Sequence, residues 1–393
     1  MTKPASHFQA ASSARLQCPL LYPESTAIHK MPRGVMSLSL GKDASHHNWV
    51  TKAKACRGAG HDGIEIHFED LENTARTLFA LSSSAKPVPQ QLYTSASHIR
   101  SICDEQGLAI ICLEPFLHYP GMLPVSKRDQ RLHDELPVWF TVSDILGTDV
   151  IQIASAMFGG EGVATGDEER VVEDLRLIAD LGLAWRDSTG LGQSRPKFWA
   201  YEAMCFGAYV TTWEQAWRQV QLVDRPNFGL VVDTFQIPGA CYADPSAVDG
   251  KAANADAEME ASLQRLTSTF GGDSAQARAN RQKVFFVQLG DGAKMDPPLT
   301  TSHPLFDAKI HSNVKMSWAR TNRKFQGEGY LPCNKVAQIF IEKCGWRGWL
   351  SAEYFNEDQI NEDDAYPEKA AERCMKGHQY FLDSVGTHRS SAL

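Results

Sequence analysis

FGLVVDTF, residues 228–235, holds an unbroken apolar, β-branched run that finishes on a charge, Asp233. A run of this kind reads as a strand buried on both faces, the habit of strands in parallel sheets. Ending it on a carboxylate raises the question of what that charge holds. Outward from it, helical patterns lie on both sides, TTWEQAWRQVQLV (211–223) and EMEASLQRLTST (258–269), and the same alternation fills the chain. Strand-like runs are GVMSLSL (34–40), GIEIHF (63–68), LAIICLEPF (108–116), DVIQIAS (149–155), KFWAYEAM (197–204), KVFFVQLG (283–290) and GWLSAEYF (348–355). Helical patterns cover 49–60, 95–107, 132–147, 168–182, 334–345 and 368–386, with Pro137 near a helix start or kink. Eight strand–helix beats in a chain of this length predict an α/β fold, a (β/α)8 barrel over 31–393 in one domain. A doubly wound open sheet is the runner-up, but no GxGxxG turn follows the first strand. Residues 1–30, rich in Ser, Ala and Pro, read as a loose N-terminal extension. The long segments 240–257 and 291–332 read as loops after strands six and seven, above the face where barrel enzymes carry their chemistry.

The 393 residues are 43% hydrophobic and 22% charged, ample for a large core. A net charge of −8 argues against tracking a phosphate backbone, so a nucleic-acid partner is not expected. No apolar run of about 18 residues suggests a membrane span. The nine cysteines are scattered singly with no CxxC pair, which predicts reduced thiols and a cytoplasmic protein. Oligomeric state is not legible.

The last four strands share a feature. Each carries a polar, oxygen-bearing residue at its C-terminal end: Glu202, Asp233, Gln288 and Glu353. One such residue is ordinarily a cap or a solvated carboxylate. Four on consecutive strands of a barrel converge on one rim, where three close carboxylates would raise one another's pKa. A divalent cation relieves that. The all-oxygen donor set suits Mg2+ or Mn2+, with Co2+ possible, whereas zinc more often recruits His or Cys.

The segments YEAMCFGAYVTTWEQAWRQVQLVDRPNFGLVVDTFQIPGACYADP, KVFFVQLGDGAKMDPPLTTSHP, MSWARTNRKF and GWRGWLSAEYF, in that order, resemble the fungal 3-dehydroshikimate dehydratases. These lie in the xylose isomerase-like, or sugar phosphate isomerase/epimerase-like, TIM barrel superfamily. The resemblance runs from about Gly34 to the C-terminal helix. It implies a divalent-metal lyase forming protocatechuate from 3-dehydroshikimate in quinate catabolism, with Glu202, Asp233, Gln288 and Glu353 as metal ligands. Such a reaction needs a base, an acid for the leaving hydroxyl and a cation for the substrate carboxylate. His67 and His118, at the ends of strands two and three, are the acid–base candidates. Arg323, Arg320 and Lys315 are candidates for the carboxylate, and His303 and His311 are weaker ones. Glu69 and Asp70 are expected to cap a helix, and Trp213 and Trp217 to pack.

Three positions depart from the family pattern. Gln236 stands where DTFN would put Asn, Glu114 replaces Gln in QPF, and Ala319 removes a hydroxyl from an SRNAR-like segment. Gln236 and Glu114 therefore belong to a substrate shell that has changed around an intact metal shell. The alternative is a metal-dependent isomerase, epimerase or dehydratase acting on a related hydroxylated ring or sugar-like ketone. An abasic-site nuclease would want more histidine ligands and a basic surface.

Overall fold

Eight parallel strands close into a barrel in which every strand pairs with its sequence neighbours and the last pairs with the first. They are β1 Arg33–Met36, β2 Gly63–His67, β3 Ala109–Phe116, β4 Val150–Ala154, β5 Phe198–Glu202, β6 Phe228–Asp233, β7 Val284–Leu289 and β8 Trp349–Ala352. The computed structural model describes residues 16–42, 46–191 and 194–386. The alternation read from the sequence is thus the observed order, with local differences. β1 stops at Met36, where a 3-10 turn, Ser37–Leu40, takes over. The expected helix at 132–147 divides at Glu135 into Val125–Asp134 and Leu136–Leu146, with Pro137 in the first turn of the second. A proline there loses no helical hydrogen bond. The helix beginning at Cys333 widens into a π-helical turn over Ile339–Lys343.

Side-chain caps set several helix starts. Asn48, Asp167 and Thr212 accept backbone N–H groups of Thr51, Arg170 and Gln215, and Gln215 reaches back to Thr212 N. Each cap is worth about 1 kcal/mol. Trp213 and Trp217 pack against Phe270, as expected of a helix face. Asp70 is not a simple cap: both its oxygens hold the buried Lys52 ammonium, at 2.7 and 2.8 Å.

The barrel interior changes character with height. Its lower layer is apolar, with Ile111, Val150, Phe198, Val231, Phe286 and Trp349 in one buried cluster. Cys18 and Leu20 join that cluster, and Leu21 bridges to Gly348. The loose extension expected over 1–30 therefore divides: residues 1–15 lie outside the described residues, while from Leu16 the chain runs under the barrel. The upper layer is polar, and there the strand register matters. Asp233 pairs with Gln288, Ser351 with Gln288, Ala154 with Glu202 and His67 with Glu114. Strand side chains alternate between faces, so β2 turns Ile64 and Ile66 to the helices and Glu65 and His67 inward.

All nine cysteines are free. No helix among the described residues is long and apolar enough to cross a membrane.

Candidate functional site

At the upper rim Glu202, Asp233 and Glu353 each offer an oxygen, and these atoms lie within 4.8 Å of one another. All three residues are buried. Asp233 Oδ1 accepts Phe235 N at 2.7 Å, which fixes its rotamer as the chain leaves β6. Glu202 is held from two sides: Gln152 Nε2 donates to Oε2 at 2.6 Å and Gln236 Nε2 to Oε1 at 3.1 Å. Gln236 Oε1 in turn accepts Cys205 N at 2.8 Å. Gln236, expected in the substrate shell, is thus placed behind a carboxylate, as an orienting group.

Gln288 joins the set from β7. Its Nε2 faces acceptors on Glu65 (3.1 Å), Glu353 (3.2 Å) and Gln152 (3.4 Å). Its Oε1 is buried and has no partner. A buried amide oxygen left unpaired is costly unless something electropositive meets it. With three adjacent carboxylates it completes an oxygen donor set that fits a hard divalent cation.

Arg323 reports the same electrostatics. Its Nη1 donates to Asp233 Oδ2 at 2.8 Å and to Glu353 Oε2 at 2.5 Å, so a guanidinium stands between two of the three carboxylates. It sits between two aromatic rings, with Cζ 4.2 Å from the Phe235 centroid and 5.4 Å from that of Phe355. A two-residue antiparallel clasp positions it: Asp291–Gly292, just past β7, pairs with Arg323–Lys324 at the far end of the long loop. Arg323 N donates to Phe355 O at 2.9 Å, tying the clasp to the chain beyond β8.

A second group, Glu65, Cys112 and Glu114, lies beside the first in the same polar layer, and it too could hold a cation. Cys112 Sγ donates to Glu65 Oε2 at 3.4 Å, and Gln288 links the groups through its bonds to Glu65 and Glu353. Five carboxylates, Glu65, Glu114, Glu202, Asp233 and Glu353, therefore share this layer, and the guanidinium in contact with them is that of Arg323. Burial is the chief reason the four glutamates hold their protons. It pushes Glu65 up to about 7, against hydrogen bonds from Cys112 and Gln288. It pushes Glu202 up to about 8, with the Asp233 charge adding and Arg323 opposing. Glu114 and Glu353 are raised well above the usual carboxylate range by burial first, with the neighbouring carboxylates adding to it. Burial alone would lower Arg323, but Asp233, Glu353 and Glu202 raise it overall.

Glu65 and Gln152 escaped sequence reasoning. The signal was present in GIEIH and VIQIA, where one polar residue interrupts each strand in phase with the inward face. Attention to strand ends passed over residues one step below them.

Across the barrel mouth, above β2–β4, a cavity of about 540 Å3 is lined by His67, His118, Phe68, Trp139, Lys127 and Arg131 among others. His67 Nδ1 accepts Glu69 N at 3.2 Å, so that nitrogen is unprotonated and the neutral ring carries its hydrogen on Nε2. Burial, then Lys42, Lys52 and Arg320, lower its pKa to about 3. His118 has φ 58° and its ring lies 5.8 Å from that of Phe158. Burial, then Arg131, Arg320 and Lys127, lower its pKa as well. Arg131 is engaged with Glu135 and the Leu117 carbonyl.

The remaining candidates separate. Arg320 has no carboxylate within 4.0 Å among the described residues, and its Nη2 approaches Met157 Sδ at 3.6 Å. Lys315 points elsewhere, its Nζ donating to Gly239 O at 2.8 Å and Ala240 O at 3.3 Å. His303 and His311 use Nδ1 to accept Leu305 N and Asp307 N within their own loop.

Comparison with known proteins gives the family. Residues 53–376 match the xylose isomerase-like TIM barrel family. The chain is 34% identical over 349 residues to a 3-dehydroshikimate dehydratase of Neurospora crassa, covering 86% of this chain and 90% of that one. It is 28% identical over 309 residues to a 3-dehydroshikimate dehydratase of Pseudomonas putida, covering 78% of this chain but 36% of the longer bacterial protein. Among solved structures, a xylose isomerase-like TIM barrel/4-hydroxyphenylpyruvate dioxygenase fusion protein superposes with a TM-score of 0.63 at 23% identity, over 92% of this chain and 44% of that one. The chain belongs to the xylose isomerase-like TIM barrel family and, within it, to the fungal 3-dehydroshikimate dehydratase family.

Proposed function

We propose that this protein is a divalent-metal-dependent dehydratase that converts 3-dehydroshikimate to protocatechuate. One observation carries the reading: the buried carboxylates of β5, β6 and β8 meet within 4.8 Å beside an unpartnered amide oxygen from β7. Glu202, Asp233, Gln288 and Glu353 would hold the cation, with Mg2+ or Mn2+ best suited to an all-oxygen set. Bound there, it supplies positive charge to a ketone oxygen that becomes negative as the substrate enolises.

The rest falls to the chain's own side chains. A proton leaves the carbon beside the ketone, the β-hydroxyl leaves as water with a proton from an acid, and a ring proton then shifts to give the catechol. One water is lost in all. His118 is the base: its lowered pKa keeps the ring neutral near pH 7, and it makes no hydrogen bond among the described residues. His67 orients the leaving hydroxyl through its Nε2–H, and the proton that departs with that hydroxyl is the one His118 has taken from the carbon. Arg320 supplies positive charge for the substrate carboxylate. Gln152 and Gln236 hold Glu202 in place. Arg323 stands against the metal ligands, so its service to substrate would be from that side.

The test is to strip the protein with chelator, add Mg2+, Mn2+ or Co2+, and follow 3-dehydroshikimate for the ultraviolet band of protocatechuate. Metal-loaded protein that leaves 3-dehydroshikimate unchanged overturns the substrate. Conversion without aromatisation would select the isomerase or epimerase reading.

A further inference from the structure

Lys42 lies at the mouth of the barrel on the side away from β5 and β6, in a segment that no strand-end pattern singled out. The chain turns there at Gly41, whose φ of 115° favours glycine and whose Cβ would fall 2.1 Å from His47 Nδ1. Beyond that turn the backbone is tied down. Lys42 N donates to Gln359 O at 2.6 Å, and Gln359 Nε2 donates to Leu38 O at 2.6 Å and Tyr354 O at 2.8 Å. Tyr354 N closes the staple on Ser39 Oγ at 2.9 Å. The turn after β1 is thus fastened to the segment that carries Glu353 and Phe355.

This fastening brings Lys42 to Phe355. Its Nζ lies 5.1 Å from the ring centroid, the ring of His67 is 6.5 Å from it, and Arg323 Cζ is 5.4 Å from it. Phe355 is therefore the partition between the carboxylate layer, reached through Arg323, and a basic side formed by Lys42 and His67. On that basic side charge is not balanced. Lys52 and Asp70 neutralise each other at 2.7 Å. Neither Lys42 nor Arg320 has a carboxylate within 4.0 Å among the described residues, and Glu69 is the acid whose field acts most on Lys42. Burial holds Lys42 below the usual lysine range, with Glu69 opposing and Arg320 adding to the shift. Half-buried cations without partners are costly, and an anion of the right size offsets that cost.

We propose that Lys42, together with Arg320, binds the carboxylate of the substrate and so sets which end of the ring faces the metal ligands. The assignment rests on the dehydratase reading for the identity of the substrate, but the subsite itself is defined by its charge. A point cation and a planar guanidinium together can orient a carboxylate without competing for the ketone. The carboxylate-bearing ring would span Phe355, its ketone toward the layer of Glu202 and Glu353.

The experiment compares wild type, Lys42→Met and Lys42→Arg, each with folding and metal content verified by thermal melting and elemental analysis. Two readouts are used: KM and kcat on 3-dehydroshikimate, and affinity for protocatechuate against catechol, which lacks the carboxylate. Loss of one charge-assisted contact predicts a rise in KM of roughly 10- to 100-fold for Lys42→Met, with a smaller change in kcat. Lys42→Arg should recover most of it. Wild type should prefer protocatechuate to catechol, and Lys42→Met should lose that preference. Should wild type leave 3-dehydroshikimate unchanged yet bind protocatechuate in a Lys42-dependent way, the subsite stands and the dehydratase reading fails. An unaltered KM and an unaltered preference in Lys42→Met overturn the proposal, as does a wild type that binds the two aromatics equally.

Discussion

On the β5–β8 side of the rim, carboxylates crowd one another and a guanidinium closes over them; on the β2–β4 side, two histidines face a cavity of about 540 Å3. The first region is dense and buried, and every carboxylate oxygen of Glu202, Asp233 and Glu353 is hydrogen-bonded while Gln288 Oε1 is not. The second is open and basic, and its histidines have few partners. Holding a cation demands convergent oxygens that cannot relax apart. Moving protons on and off a substrate demands free nitrogens beside an empty volume. On the proposed function this is a division of labour, in which one half would hold the cation and the other half would do the acid–base work.

The sharpest way to break that division is at the charge-holding half. Asp233→Ala should reduce turnover by about a thousandfold or more and lower metal content in parallel. Full activity of this variant in chelator-treated buffer would remove the metal from the account. On the other half, His118→Gln should cost roughly 100- to 10,000-fold in kcat while metal content by elemental analysis stays at the wild-type level. If His118→Gln also lost metal, the two halves would not be separable.

Gln152 reaches from β4 into the charge-holding half, donating to Glu202 and accepting from Gln288. Gln152→Ala should weaken metal affinity by roughly 10- to 100-fold, measured by competition with a chelating dye. Its effect on the KM for substrate should be smaller.

The smallest expected effect concerns pH. Glu65 and Glu202 have folded pKa values of about 7 and about 8, above the ordinary value of 4.5. A carboxyl raised by folding stabilises the native state while protonated, fully so below the unfolded value. That contribution is lost as pH rises through the folded value. Metal-free protein should therefore lose stability from about pH 4.5 up to about pH 8, by on the order of 1 kcal/mol per pH unit. Denaturant titration checks this. Metal-loaded protein should not show the decline, because the cation favours the ionised carboxylates. Glu65→Gln should flatten the slope of the metal-free form.

The two halves also differ in how openly the sequence displayed them. Strand ends such as LVVD and WAYE announce themselves, because an abrupt charge after an apolar run is visible in one dimension. The closed barrel and the oxygen set from β5 to β8 were legible for that reason. Glu65 and Gln152 lie inside strands, where their meaning depends on which face turns inward, and that requires the register. Arg323 was legible as a cation but not as a neighbour of Asp233 and Glu353, since only the clasp between Asp291–Gly292 and Arg323–Lys324 brings it there. Gln236 was read toward substrate and lies against Glu202, because the short helix Gln236–Cys241 turns it back. Lys42 carried no signal at all: its position is set by backbone bonds to residues more than three hundred positions away.

The clasp itself has an evolutionary corollary. By joining the two ends of a long excursion with one backbone ladder, it makes the placement of the arginine independent of the length of the loop over residues 296–312. Entropy penalises a lengthened loop only logarithmically. This segment can therefore be shortened or extended while the guanidinium keeps its address, and relatives with new ring substrates would be expected to differ there first.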